Sequence, residues 1–270
     1  MKQRIISGLV AVVLLAGVIA ASMLFNNLIF VVAVALLGAI ATYEVINNAY
    51  AIKSKRVVFS TVIYAFIMPF VYSGYIPYIT AAFVSVLFIT LIFAFSISHN
   101  EVISGADMII CASVPLFLGY SFYSIGKLFV SGLFYFLLAV SFAWSCDIFA
   151  YFTGVAIGKH HITPVISPKK TWEGCIGGVI GTALITFIMC YVYNNCFGGS
   201  ANTLFVTLVS PIFAVIGMYG DLTASYIKRV NHIKDYGKIM PGHGGVMDRF
   251  DSICLISPVL LTLFEMTGTI

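Results

Sequence analysis

The sequence predicts an all-α, polytopic integral membrane protein with about nine transmembrane helices, its N-terminus cytoplasmic and its C-terminus outside. Three observations predict this. Of the 270 residues, 61% are hydrophobic and only 9% charged, whereas a soluble domain carries about 25% charged residues. Nine apolar stretches are long enough, or nearly so, to cross a hydrocarbon core, which is about 30 Å thick. With the N-terminus inside, thirteen of the fourteen basic residues fall on the cytoplasmic side and only Lys127 falls outside, the asymmetry that orients membrane proteins.

The stretches lie near 5–25, 28–51, 57–76, 78–97, 108–125, 129–157, 174–194, 203–224 and 252–269. Lys2 and Arg4 before the first apolar run resemble a signal peptide. No convincing small-residue cleavage site follows, so this run reads as an uncleaved first span. Lys53, Lys55 and Arg56 mark the second cytoplasmic link. Gly174, Gly177, Gly178 and Gly181 open the seventh span with small-xxx-small spacing, which predicts close helix packing. Pro211 predicts a kink in the eighth span. The six cysteines make no CxxC pair and all but Cys196 lie in apolar stretches, so they read as small buried hydrophobes. Residues 1–127 carry 9 charged residues, mostly at helix ends, and form an N-terminal region of spans for packing and dimerisation. Residues 128–270 carry 15, and form a catalytic region with cytoplasmic loops at 158–173 and 225–251.

Two charged segments carry chemistry. The richer runs from Ser225 to Asp251, after Asp221 at the end of the eighth span, and holds Lys228, Arg229, His232, Lys234, Asp235, Lys238, His243, Asp248, Arg249 and Asp251. A loop that only tethers two helices needs none of these. Asp221, Asp248 and Asp251 are hard oxygen ligands suited to Mg²⁺, and Asp248 and Asp251 are spaced to share a helix face. Lys and Arg neutralise phosphate oxygens. The Pro241-Gly242-His243-Gly244-Gly245 run lets backbone N–H groups approach an anion closely. These parts suit a nucleoside triphosphate. The bland reading is a basic loop that fixes topology.

The second segment runs from Asp147 through Ser167, Lys169, Lys170, Thr171 and Glu173 to Gly174. An acidic residue such as Asp147 inside a span marks a functional site or a structural ion partner. Thr171 is placed to cap the seventh helix, and Glu173 to sit at its positive end; phosphate binding by Lys169 and Lys170 is compatible with both. Gly154 to Lys159 imitates a P-loop but is one residue short, lacks the Ser/Thr and has no parallel-sheet context. His160 and His161 are adjacent and cannot face one metal from a helix.

At these residues the chain resembles the phosphatidate cytidylyltransferase (CDP-diglyceride synthetase) family. Its signature of Ser-x-x-Lys-Arg, Lys-Asp-x-Gly, Pro-Gly-His-Gly-Gly and Asp-Arg-x-Asp stands here in full between Ser225 and Asp251. The resemblance covers about 144–257, with Phe149 and Val155 departing from it. The N-terminal spans match only in kind, including Glu44 near the end of the second. The resemblance implies that CTP and phosphatidic acid give CDP-diacylglycerol and pyrophosphate, with Mg²⁺ on Asp221 and Asp248, a monovalent cation such as K⁺ alongside, and a homodimer. It places the enzyme in the inner (plasma) membrane, with its active site at the cytoplasmic face and nothing pointing to nucleic acid.

In that setting Asp221, Asp248, Lys228, Arg229, Arg249 and His243 are the expected catalytic residues. Asp147, Ser167, Lys169, Lys170, Thr171, Glu173, Ser225, Lys234, Asp235, Gly244 and Gly245 are expected to bind substrate, and Asp221, Asp248 and Asp251 to bind metal. His243 either handles a phosphate or shapes a turn. The alternative is a CTP-dependent polyprenol or lipid kinase, which would move the γ-phosphate and release CDP. A secondary transporter is disfavoured, because transporters bind substrate at the midplane between repeat-related halves.

Overall fold

The computed structural model describes residues 2–72, 79–97, 104–240, 242 and 244–270. Of the expected site residues, His243 lies outside them. Among the described residues the chain forms nine α-helices: α1 (Lys2–Leu24), α2 (Leu28–Tyr43), α3 (Lys55–Tyr72), α4 (Ile79–Ile97), α5 (Gly105–Ser131), α6 (Leu133–Ile157), α7 (Trp172–Cys196), α8 (Thr203–Val230) and α9 (Met247–Met266). Each expected span overlaps one of them; 73–76 of the third and 78 of the fourth lie outside the described residues, and 129–131 of the sixth belongs to α5. Six are long and apolar enough to cross a membrane, within Ile6–Leu24, Leu28–Ala49, Gly105–Ser131, Leu133–Ile157, Trp172–Cys196 and Thr203–Val230. The chain is an all-α membrane protein. Hydrocarbon offers backbone groups no hydrogen-bond partner, so an apolar segment satisfies itself as a helix.

Two local features were absent from the expectation. Glu44–Ala49 continues α2 as a π-helical turn. The 158–173 link contains a two-stranded antiparallel hairpin, β1 (His161–Thr163) with β2 (Ser167–Thr171), paired His161 to Thr171 and Thr163 to Ser167.

The chain divides into two compact units. The first holds 1–130 and 230–250, the second 131–229 and 251–270. In the first, α2, α3 and α4 pack in sequence order around buried Ile46, Val57, Tyr64, Met68, Phe88 and Ile92. Phe122 of α5 lies against Gly38 and beside the ring of Phe250. In the second, α6 and α7 make the most extensive helix contact. The glycine run brings them together as expected. A methyl group at Gly178 would lie 2.9 Å from the Cys146 carbonyl, one at Gly174 2.7 Å from that of Ala150, and one at Gly177 inside the Thr153 side chain. Pro211 lies within α8, which continues to Val230. All six cysteines are free thiols, and only Cys196 is exposed.

Replacing Gly178 with Leu should therefore overpack the α6–α7 contact, at a cost of about 1–3 kcal/mol. Gly17→Ala, where an added methyl meets nothing within 4 Å, should leave stability unchanged or slightly higher. Thermal unfolding of the two detergent-solubilised variants checks the contrast.

Candidate functional site

In the second unit, α6 ends at Ile157 and the hairpin carries the chain back to α7. Thr171 is extended, and its hydroxyl accepts the N–H of Gly174 at 3.2 Å, capping α7 as expected. A methyl group at Gly158 would reach that hydroxyl at 2.7 Å, so the exit from α6 passes directly over the cap. Glu173 adds a second tie. Its Oε2 accepts the backbone N–H groups of Lys159 and His160, and its Oε1 lies 2.6 Å from His160 Nδ1. The expected acid at the helix end is thus engaged in holding the loop closed.

The hairpin delivers Lys170 to α8. Lys170 Nζ lies 2.6 Å from Asp221 Oδ2, with both side chains mostly shielded from solvent. Asp221 in turn lies close to Asp251. The two helices can approach because Gly220 is bare: a methyl group there would meet the Asp251 carbonyl at 2.8 Å and Ser252 Cα at 3.0 Å. Asp251 also feels the charges of Asp147 and Lys228. Three carboxylates, Asp147, Asp221 and Asp251, are thereby brought into one electrostatic neighbourhood, opposed by the cations of Lys170 and Lys228.

Among the described residues no group of three or more His, Cys, Asp or Glu side chains could cage a metal ion alone. Mg²⁺ does not require one, because it is bound through one or two carboxylates, with substrate phosphates and water completing its octahedron. The neighbouring hard oxygen donors of Asp221 and Asp251 fit that pattern. Lys170, already seated on Asp221, shows that the carboxylate attracts a cation.

In the first unit, the 231–246 link folds around two other carboxylates. Asp248, in the first turn of α9, accepts the N–H groups of Tyr236 at 2.8 Å and Gly245 at 2.9 Å through Oδ2. Gly244 has a φ of +89° and its N–H and carbonyl pair with Met240, closing the glycine-rich turn. The anion that Gly245 meets is therefore a side chain of the protein itself. Glu44, buried at 1% exposure, accepts the N–H groups of Val246 at 3.1 Å and Met247 at 2.9 Å. Asn48, in the same π-helical turn, donates to the Tyr236 carbonyl at 2.8 Å. These two partners escape a reading of the sequence, although an acidic residue inside an apolar span is itself a signal.

The other expected residues take simpler positions. Lys228 and Arg229 occupy the last turn of α8, where cations complement the helix dipole. Ser225 is half-buried one turn earlier, Ser167 and Lys169 lie on β2, Lys234 and Asp235 are exposed in the link, and Arg249 is exposed beside Asp248.

Comparison with known proteins gives the family. The chain is similar over 265 residues to the phosphatidate cytidylyltransferase of Staphylococcus aureus (strain COL), at 30% identity, covering 96% of this chain and 97% of that one. It is similar to that of Bacillus subtilis (strain 168) at 29% identity over 273 residues, 98% of both chains. To that of Haemophilus influenzae it is 41% identical over 127 residues, 47% of this chain and 44% of that one. The model of the cytidylyltransferase family matches residues 2–267. With that match running through nearly all of its helices and through both charged segments, the chain belongs to the cytidylyltransferase family.

Proposed function

We propose that this chain is a phosphatidate cytidylyltransferase of phospholipid biosynthesis, converting CTP and phosphatidic acid to CDP-diacylglycerol and pyrophosphate. The observation that carries this reading is the ion pair of Lys170 with Asp221, with Asp251 near enough to sense the Asp221 charge, between the hairpin and the helices α8 and α9. The family match over 2–267 supplies the reaction class.

The chemical problem is the approach of two anions. A phosphate monoester has a second pKa near 6, so the lipid phosphate is largely dianionic at neutral pH and needs no strong base to attack. One of its oxygens forms a bond to the α-phosphorus of CTP, the α–β bridging P–O bond breaks, and the electron pair leaves with pyrophosphate. Catalysis then rests on alignment and on neutralising charge. Lys228, Arg229 and Arg249 stabilise the crowded phosphates, and Lys169 and Lys170 hold one substrate phosphate. Asp147, Ser167, Ser225, Lys234 and Asp235 complete the proposed substrate-binding set. Thr171 and Glu173 fix the hairpin that presents the lysines, while Gly244 and Gly245 shape the turn into α9. His243 orients a phosphate or shapes that same turn. Asp221 and Asp251, with Asp248 three residues earlier on α9, are the donors proposed for Mg²⁺, which when bound supplies further neutralisation of phosphate charge; a monovalent cation such as K⁺ joins the set. The acyl chains stay in the bilayer. All nine helices span, the N-terminus and the 158–173 and 225–251 segments face the cytoplasm, the host is the inner (plasma) membrane, and two copies form a homodimer.

Radiolabel tests the reaction. With phosphatidic acid, Mg²⁺ and purified protein, α-label from CTP should enter lipid and γ-label should leave as pyrophosphate; γ-label in a lipid alcohol would establish a lipid kinase instead. Asp221→Asn and Lys170→Met should each lower kcat by on the order of 10²-fold without loss of the folded, monodisperse protein. Glu265→Gln, at the other end of α9, should leave kcat unchanged. Orientation is checked by impermeant maleimide in a Cys196→Ser background. Ser200→Cys should label in intact cells, and Val165→Cys only after the membrane is opened.

A further inference from the structure

We infer that Glu44 is a positioning residue for the reaction, holding the turn that carries Asp248 and Arg249 in its working geometry. The inference rests on the proposed role of that segment.

Glu44 sits in an apolar span, in the π-helical turn that continues α2, and is 1% exposed. A carboxylate in such a place is costly unless its oxygens are fully engaged. Both are. Oε1 accepts the N–H of Val246 and Oε2 that of Met247. These two groups lead into α9, whose first N–H groups have no partner within the helix and carry the positive end of its dipole. Glu44 satisfies them from a residue about two hundred positions away in the chain.

Two glycines show that the fit is tight. A methyl group at Gly237 or at Gly245 would run into the Glu44 carboxylate. Both ends of the 237–245 turn therefore close onto this one side chain. The same π-helical turn supplies a second tie, Asn48 Nδ2 to the Tyr236 carbonyl at 2.8 Å. The Tyr236 N–H goes to Asp248 at 2.8 Å. Tyr236 is thus hydrogen-bonded on one side to the π-helical turn and on the other to Asp248, while Gly245 donates to Asp248 with its Cα close against Glu44. A π-helical insertion is a common feature of functional sites. Here it accompanies the placement of both Glu44 and Asn48 on the turn.

The geometry asks for two acceptors. A carboxylate supplies them and an amide cannot, because Gln would set its NH₂ group against one of the two backbone N–H groups. Glu44→Gln preserves the volume of the side chain and loses only that match. Misplacement of a reacting group by about 1 Å costs on the order of 10²-fold in rate.

The test compares Glu44→Gln with Asp248→Asn and wild type in mixed micelles of phosphatidic acid, with CTP and Mg²⁺. The expected result for Glu44→Gln is a fall in kcat of about 10-fold to 100-fold, with the KM for CTP changed much less. Amide hydrogen exchange should rise across 236–247 and stay as in wild type in the helices. Wild-type kcat in a well-folded Glu44→Gln protein would overturn the inference while leaving the site reading intact, provided Asp248→Asn is inactive. A loss of activity accompanied by faster exchange throughout the chain would also overturn it, since Glu44 would then be a support of the whole fold. Full activity in Asp248→Asn as well would bring down the site reading, and this inference with it.

Discussion

Hydrocarbon gives a charged group no water to fall back on, so one that lies within an apolar helix is costly unless another part of the protein meets it. That constraint explains where its charges stand. With 9% charged residues, the chain concentrates them at helix ends and in two links, and ties many of them down. Glu173 takes two backbone N–H groups and a histidine. Asp248 takes two N–H groups of its own loop. Glu44 takes two at the start of α9. Asp221 takes a lysine. The difference among them is chemical. The first three are bound by fixed donors and shape the backbone. Asp221 is bound by a flexible side chain that can exchange one anion for another.

Glycine provides the geometric counterpart. Helices that must bring short carboxylates close to cations cannot be held apart by side chains. Gly220 lets the backbone of α9 approach that of α8 beside Asp221, and Gly174 and Gly178 do the same for α6 and α7. The second approach also controls the exit from α6, because Gly158 passes over Thr171. The site and the helix packing are consequently one structure: the contact that buries α7 against α6 also aims the hairpin and Lys170.

The helices were legible because hydropathy over a membrane-length window is a strong, local signal, and the positive charges between them are equally local. The cap at Thr171 and the glycine contact were legible for the same reason, each being a property of neighbouring residues. The π-helical turn was not, since one extra residue in a turn is decided by packing. Nor was the hairpin, whose strands of three and five residues are too short to show alternation and include Pro168. Glu44 could be noticed as an acid in a span, but its partners lie 202 and 203 residues away, a distance across which sequence spacing carries no information. The lysines were expected to bind phosphate, and the spacing alone did not reveal that Lys170 has a carboxylate partner.

That partner bears on how the site would meet its substrates. A lysine already paired with an aspartate is held in place before any phosphate arrives, so little side-chain freedom is lost on binding. In the proposed reaction an incoming polyphosphate would compete for the ammonium, and the carboxylate it left would be free to hold a cation. In this view the ion pair is a resting arrangement that a substrate phosphate would displace. The nearness of Asp221 and Asp251 rests finally on the bare backbone of Gly220. A side chain there would meet the Asp251 carbonyl, push α9 away from α8 and separate the two carboxylates.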